Sequence, residues 1–232
     1  MKSAEYVFGT DQAEIARLLD SAAARRPPAD RLLDRLGDMT GWAVLDAGCG
    51  PLGILDLLAE RVGPTGTVTG VDRAAPMVAA ARRVLDGRGL TGVRLACADI
   101  AALPIPDAVF DLAHERLVLV NLAEAPRAVG ELARVTRPGG VVALQEFDHV
   151  SLICHPPHPA WDALMAAWHG CAATRGWTSP SGATCRACSA TPGSSRSRSR
   201  CTPRCAGPVR TSGSCRCTSR GCTVAGSSRR GR

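Results

Sequence analysis

Glycines at positions 48, 50 and 53 fit the pattern G-x-G-x-x-G, directly after the run Ala43-Val44-Leu45-Asp46-Ala47. Apolar residues entering a glycine turn and leaving into Ile54-Leu55-Asp56-Leu57-Leu58 read as strand, tight turn and helix. In such a turn Gly48 allows the sharp bend, Gly50 lets a ligand approach the backbone, and Gly53 lets the helix pack on the strand. Small residues also serve turns that hold no ligand, so the chemistry rests on acidic and apolar residues further along the chain. Asp72 closes a second apolar run, 19 residues after Gly53. A carboxylate there can accept hydrogen bonds from both hydroxyls of a ribose, or cap the helix after it. Asp99, in Ala98-Asp99-Ile100, can receive an adenine amino group while Ile100 lies on the ring face, or it can be a plain loop aspartate. Met77 can cover the other ring face or pack in the core. Asp46 can hold the glycine turn or meet an ammonium group.

These residues need a scaffold that brings them together. Strands are predicted over 43–46, 67–72, 93–98, 110–114 and 141–147. Helices are predicted over 53–62, 75–87 and 122–136, the last closed by Arg137-Pro138-Gly139-Gly140. Alternation of strand and helix with short turns predicts an α/β fold: a Rossmann-like, doubly wound, mostly parallel sheet with helices on both faces. Every residue singled out above then falls at the carboxyl end of a strand, where such sheets bind ligands. Two helices are predicted ahead of the first strand. One follows Asp11, which with Glu14 forms a capping box, and ends near Arg25-Arg26-Pro27-Pro28; the second spans about 29–36.

The motifs Val44-Leu45-Asp46-Ala47-Gly48-Cys49-Gly50, Gly70-Val71-Asp72, Ala98-Asp99-Ile100, Phe110-Asp111-Leu112 and Arg137-Pro138-Gly139-Gly140 resemble those of class I S-adenosylmethionine-dependent methyltransferases. They stand in order and at fitting intervals over residues 41–147. Tyr6-Val7-Phe8-Gly9 and the helix bearing Glu14, Arg17 and Leu18 resemble the N-terminal lid of small-molecule members. The resemblance implies that S-adenosylmethionine meets Asp46, Gly48, Cys49, Gly50, Gly53, Asp72, Arg73, Met77, Asp99, Ile100 and His114. It implies methyl transfer to oxygen, nitrogen or carbon of a small-molecule acceptor. His114-Glu115-Arg116 would follow the fourth strand, where the fold aims at the methyl group. His114 is the candidate general base, or a structural lining histidine. Arg116 is expected to anchor a loop carbonyl or a carboxylate. Glu146, Asp148 and His149 would stand at the edge of the acceptor pocket. A nicotinamide-dependent oxidoreductase uses the same glycine turn, but the only Tyr is Tyr6 and the only Lys is Lys2.

Charge divides the chain. Residues 178–232 hold 11 Arg and no Lys, Asp or Glu, so the formal net charge of +7 belongs to the tail and the body is mildly acidic. The body gives no reason to expect nucleic acid or a membrane surface, and the sequence predicts a cytoplasmic protein whose Cys49, Cys97, Cys154 and Cys171 are thiols. His155 and His158 lack nearby second ligands and read as a loop before a helix rather than a metal site. That helix carries Trp161, Leu164, Met165 and Trp168 at helical spacing, and is expected to cover the acceptor pocket or pack on the sheet. Three domains result: an N-terminal helical lid (1–40), a cofactor-binding domain (41–177) and a basic Ser/Arg/Cys-rich tail (178–232).

The tail has no apolar period and cannot bury a core. It is compatible with a disordered nucleic-acid-binding segment or, through Cys185, Cys188, Cys201 and Cys205, with zinc. We favour a third origin, translation out of frame. Each shifted codon takes its last two bases from the first two of the residue written here, with G or C at the wobble position. With the choice left free at Ser and Arg, residues 177 onward can then read DVTIGRDLPGLLRDAGFVEVQVEV, an amphipathic helix, a glycine stop and an alternating strand. That string resembles the last helix and strand of the same family. As written, the tail leaves the terminal sheet strands lost or replaced, with an open edge on the fifth strand and a truncated, inactive enzyme as the alternative outcome.

Overall fold

The computed structural model describes residues 9–147 and 152–174, together with two short strands at 198–200 and 222–225. Tyr6 to Phe8 of the expected lid, Asp148, His149 and most of the tail lie outside the described residues.

Strands β1 (Ala43–Ala47), β2 (Thr67–Asp72), β3 (Arg94–Cys97), β4 (Phe110–Arg116) and β5 (Thr136–Gln145) pair in parallel in the order β3-β2-β1-β4-β5. The chain steps outward from β1 to β3, then crosses to β4 on the other side of β1. The strand order therefore reverses between β1 and β4. Beyond β5, β7 (Cys222–Ala225) pairs antiparallel along Val141–Leu144, and β6 (Arg198–Arg200) pairs with β7. The main chain of β5 is covered, where the sequence predicts an open edge.

Alternate residues of each strand serve opposite faces. Val44, Val68 and Leu112 pack with Leu32 and Leu33 of α2 (Arg26–Asp34), Leu55 and Leu58 of α3 (Leu55–Val62), and Leu85 of α4 (Ala75–Gly87). Leu45, Val71, Ala113 and Leu144 pack with Ala128, Val129 and Leu132 of α5 (Ala125–Val135). The sheet is thus covered on both faces, as the alternation predicts.

The Asp11 side chain caps α1 (Gln12–Ala24) through the Glu14 N–H at 2.8 Å. Helix α2 begins at Arg26, not near 29, with Pro27 and Pro28 in its first turn. Proline at a helix start loses no hydrogen bond, because those N–H groups have no helical partner, so the pair opens a helix that the sequence places after it. Ion pairs hold α2 to α3: Arg26 with Asp56 (2.9 Å) and Glu60 (2.6 Å), and Arg61 with Asp30 (3.1 Å) and Asp34 (2.8 Å).

Strand β4 runs to Arg116 instead of stopping at 114, because His114, Glu115 and Arg116 stay in register with Ala143, Leu144 and Gln145. Strand β5 starts directly after α5, through the Pro-Gly-Gly segment predicted as a turn. At the opposite end of the strands, Asp111 accepts the Ala43 N–H (2.8 Å) and pairs with Arg137, joining two of the motifs mechanically. The His158 ring accepts the Ala160 N–H at 3.1 Å at the start of α6 (Pro159–Thr174). Leu164 of α6 is 58% exposed, and no residue of α6 lines the cavity at the carboxyl ends of the strands. Among the described residues, no helix is long and apolar enough to cross a membrane.

Candidate functional site

A cavity opens at the carboxyl ends of β1, β2 and β4, at the reversal of strand order. Its floor is the glycine turn. The N–H groups of Gly48 and Cys49 both donate to the Val71 carbonyl, at 2.7 and 3.0 Å, so the turn folds over the end of β2. Gly50 has φ +54° and no heavy atom within 4 Å of where a Cβ would stand, leaving open space above the backbone. At Gly53 (φ +54°) a Cβ would strike the Asp46 carboxylate and approach the Cys49 carbonyl to 2.9 Å.

Asp72 joins the turn to the next helix. Its Oδ2 accepts the Gly50 N–H and its Oδ1 the Ala74 N–H, both at 2.9 Å. Asp72 thus fixes the turn ahead of α4 without capping the helix, whose N-cap is Ala74, and its side chain lines the cavity. Burial pushes its pKa above the ordinary aspartate value, while the two N–H bonds and Arg73 pull it back. The Cys49 thiol lines the cavity, and burial holds it protonated. Arg73, Met77 and Ile100 also line the cavity, Met77 packed beneath Ile15 of α1.

Two predicted residues stand elsewhere. Asp99 is exposed and outside the lining; its Oδ1 accepts the Ala101 N–H at 2.8 Å and so shapes the turn that presents Ile100. His114 is fully buried and also outside the lining. Its Nδ1 donates to Asp46 Oδ1 at 2.7 Å, and Asp46 Oδ2 accepts the Ile54 N–H at 3.2 Å. Because β4 continues past His114, the histidine stays inside the sheet and braces Asp46 under the glycine turn.

Arg116 completes that brace. It donates to the Gly53 carbonyl at 2.9 Å and to the Arg25 carbonyl at 3.3 Å, tying α1 to the turn. Burial draws its pKa down and Asp46 draws it back up. Leu18, named with the lid-like helix, lines the cavity, and residues that the sequence alone did not single out complete the walls: Ser21 and Ala22 of α1, Arg25 at its C-cap, and Leu117, Val118 and Asn121 after β4. Their signal was the apolar stripe of α1, which reads as ordinary packing until the lid is seated. Arg25 lies over the Phe147 ring at 5.3 Å.

The methyltransferase domain family matches residues 45–144. A SAM-dependent methyltransferase from Aquifex aeolicus superposes with a TM-score of 0.56 at 26% identity, covering 69% of this chain and 88% of that one. Residues 45–144 carry a methyltransferase domain of the class I, S-adenosylmethionine-dependent type. Among relatives of this chain, nocamycin O-methyltransferase of Saccharothrix syringae is 39% identical over 51% of this chain and 42% of its own. Demethylmenaquinone methyltransferase of Thermus thermophilus is 39% identical over 60% of this chain and 56% of its own. The chain spans about half the length of the curated relatives it matches.

Proposed function

We propose that this methyltransferase moves the methyl group of S-adenosylmethionine to a small-molecule acceptor. The observation that carries the proposal is the Asp72 carboxylate bonded to Gly50 and Ala74 beside the open space over Gly50. Asp72 takes the ribose hydroxyls, and Ile100 and Met77 flank the adenine. The glycine turn, held by Asp46, takes the methionine part. The bound cofactor supplies an electrophilic methyl on a sulfonium. The residues around it align the acceptor and exclude water, which is the main demand of an in-line displacement. Leu18 and Ala22 from the lid, with Leu117, Val118 and Leu122, give that end of the cavity an apolar wall. We assign His114 to positioning Asp46. Relatives named as an O-methyltransferase and a quinone-precursor methyltransferase support a small organic acceptor.

Calorimetry with S-adenosylhomocysteine and with NAD tests the donor assignment. Binding of the first and not the second is expected; the reverse overturns it. A metabolite screen with isotopically labelled methyl donor then identifies the acceptor. We also propose the domain division at residue 177 and the out-of-frame origin of the tail, tested by sequencing the gene and by the intact mass of the native protein. A single confirmed frame rejects that origin.

A further inference from the structure

Glu115 has no role above, and Glu146, expected at the edge of the acceptor pocket, bonds the backbone of the turn after β4. Glu115 is fully buried, and its Oε2 accepts the Val118 N–H at 3.2 Å. Glu146 Oε1 accepts the Leu119 N–H at 2.7 Å and the Val120 N–H at 3.3 Å. Two carboxyls therefore hold three successive N–H groups of the turn that walls the cavity beyond β4. The remaining oxygens, Glu115 Oε1 and Glu146 Oε2, are buried and meet no donor among the described residues, while the two side chains interact with each other.

Two ionised carboxylates in contact in a dry interior repel, and a single shared proton supplies the missing donor. Burial and the neighbouring carboxylate push Glu115 well above the ordinary glutamate range, and burial raises Glu146. No described cation relieves them. His114 and Arg116 project from the other face of β4, Gln145 is neutral and on the other face of β5, and the packed side of α5 is Ala125, Ala128, Val129 and Leu132. Asp148 and His149 lie outside the described residues. The turn under this control is a constrained one: Leu117 sits at φ +60°, Asn121 Nδ2 donates to the Leu117 carbonyl at 3.0 Å, and the Val118 side chain occupies the space where a Cβ at Gly48 would stand.

We propose that Glu115 and Glu146 share one proton, and that this proton seats residues 117–121 against the glycine turn, making the pair positioning residues for the donor pocket. The proposal rests on the donor assignment above. Loss of the proton at alkaline pH leaves two facing carboxylates, loosens the wall and weakens the donor site.

The test is calorimetric affinity of the full chain for S-adenosylhomocysteine from about pH 6 to about pH 9.5, for the wild type, Glu115→Gln and Glu146→Gln, together with infrared detection of a protonated carboxyl at neutral pH. The wild type should weaken roughly tenfold toward the alkaline end. Each glutamine variant should stay flat, because a carboxamide donates where the proton stood and still accepts the N–H groups. The carboxylic acid band should be present in the wild type and lost in either variant. A flat wild-type profile, an alkaline slope that survives in both variants, or the lack of the band overturns the proposal. A band without binding at any pH removes the positioning role and rejects the donor assignment instead.

Discussion

In the donor assignment proposed above, Asp72 concentrates the binding chemistry in one carboxylate. Replacing it by Asn puts an amide N–H against one of two N–H groups that need an acceptor, and removes the charge a ribose would meet. Hydrogen bonds to charged groups contribute about 1.5–3 kcal/mol, so Asp72→Asn should weaken S-adenosylhomocysteine binding roughly tenfold to a hundredfold by calorimetry. The pH dependence has a definite sign. Burial raises the Asp72 pKa, the ionised form is the binding form, and affinity should fall as pH drops through that raised value. This acid limb should vanish in Asp72→Asn. Gly53→Ala tests the turn itself. A side chain there is strained at φ +54° and collides with Asp46. It should destabilise the fold by about 1–3 kcal/mol and lower the melting temperature accordingly. The sequence pointed to these positions through residue type and spacing. It could not tell that Asp99 turns toward its own loop, because an aspartate after a strand satisfies a turn and a ligand equally well.

Elements are positioned by a few long-range contacts that no local pattern encodes. Helix α2 is tied to α3 through Asp56, which takes both Arg26 (2.9 Å) and Arg88 (2.5 Å). Asp56 is 8% exposed. Arg26→Ala leaves Arg88 in place and should lower stability by less than about 1 kcal/mol, as partly exposed pairs do. Arg26→Ala with Arg88→Ala leaves a buried carboxylate without a bonded cation, so chemical denaturation should show a loss larger than the sum of the single variants. Strand and helix identities were legible because apolar periods of 2 and 3.6 are strong in this chain. Ends were not. Strand β4 continues through His114 and Glu115 between β1 and β5, Arg116 pairs on with Gln145 of β5, and β5 absorbs its Pro-Gly-Gly start. The β4 extension decides which residues face the cavity: it keeps His114 inside and brings Arg116 to the turn.

At the scale of the whole molecule, a mildly acidic domain carries a tail with 11 arginines and no acid. Helix α6 leaves Leu164 exposed, and Ile153 ahead of it is 86% exposed. Unburied apolar surface of this kind is what a C-terminal helix and strand in the shifted frame would cover. Exchanging residues 177–232 for the shifted-frame string should raise the melting temperature by several degrees and increase the soluble fraction. Each kilocalorie gained is worth about 2–4 °C at this length. An unchanged melting temperature and solubility would remove the structural case for that tail. If the tail as written binds RNA, binding should be salt-sensitive and disappear in the exchanged protein, because counterion release scales with the lost arginines.

The order of strands and helices, the glycine turn and the carboxylate after it are local properties, set by residue periodicity and by which residues tolerate a positive φ. Those the amino-acid sequence determined by itself, and with them the family. Which face of β4 each residue joins, the His114–Asp46 brace, the arginine that ties the lid to the turn and the paired carboxyls behind the wall were decided only in three dimensions. Each depends on a partner tens of residues away in the chain, and proximity of that kind arises from sheet register and packing, which no single segment specifies.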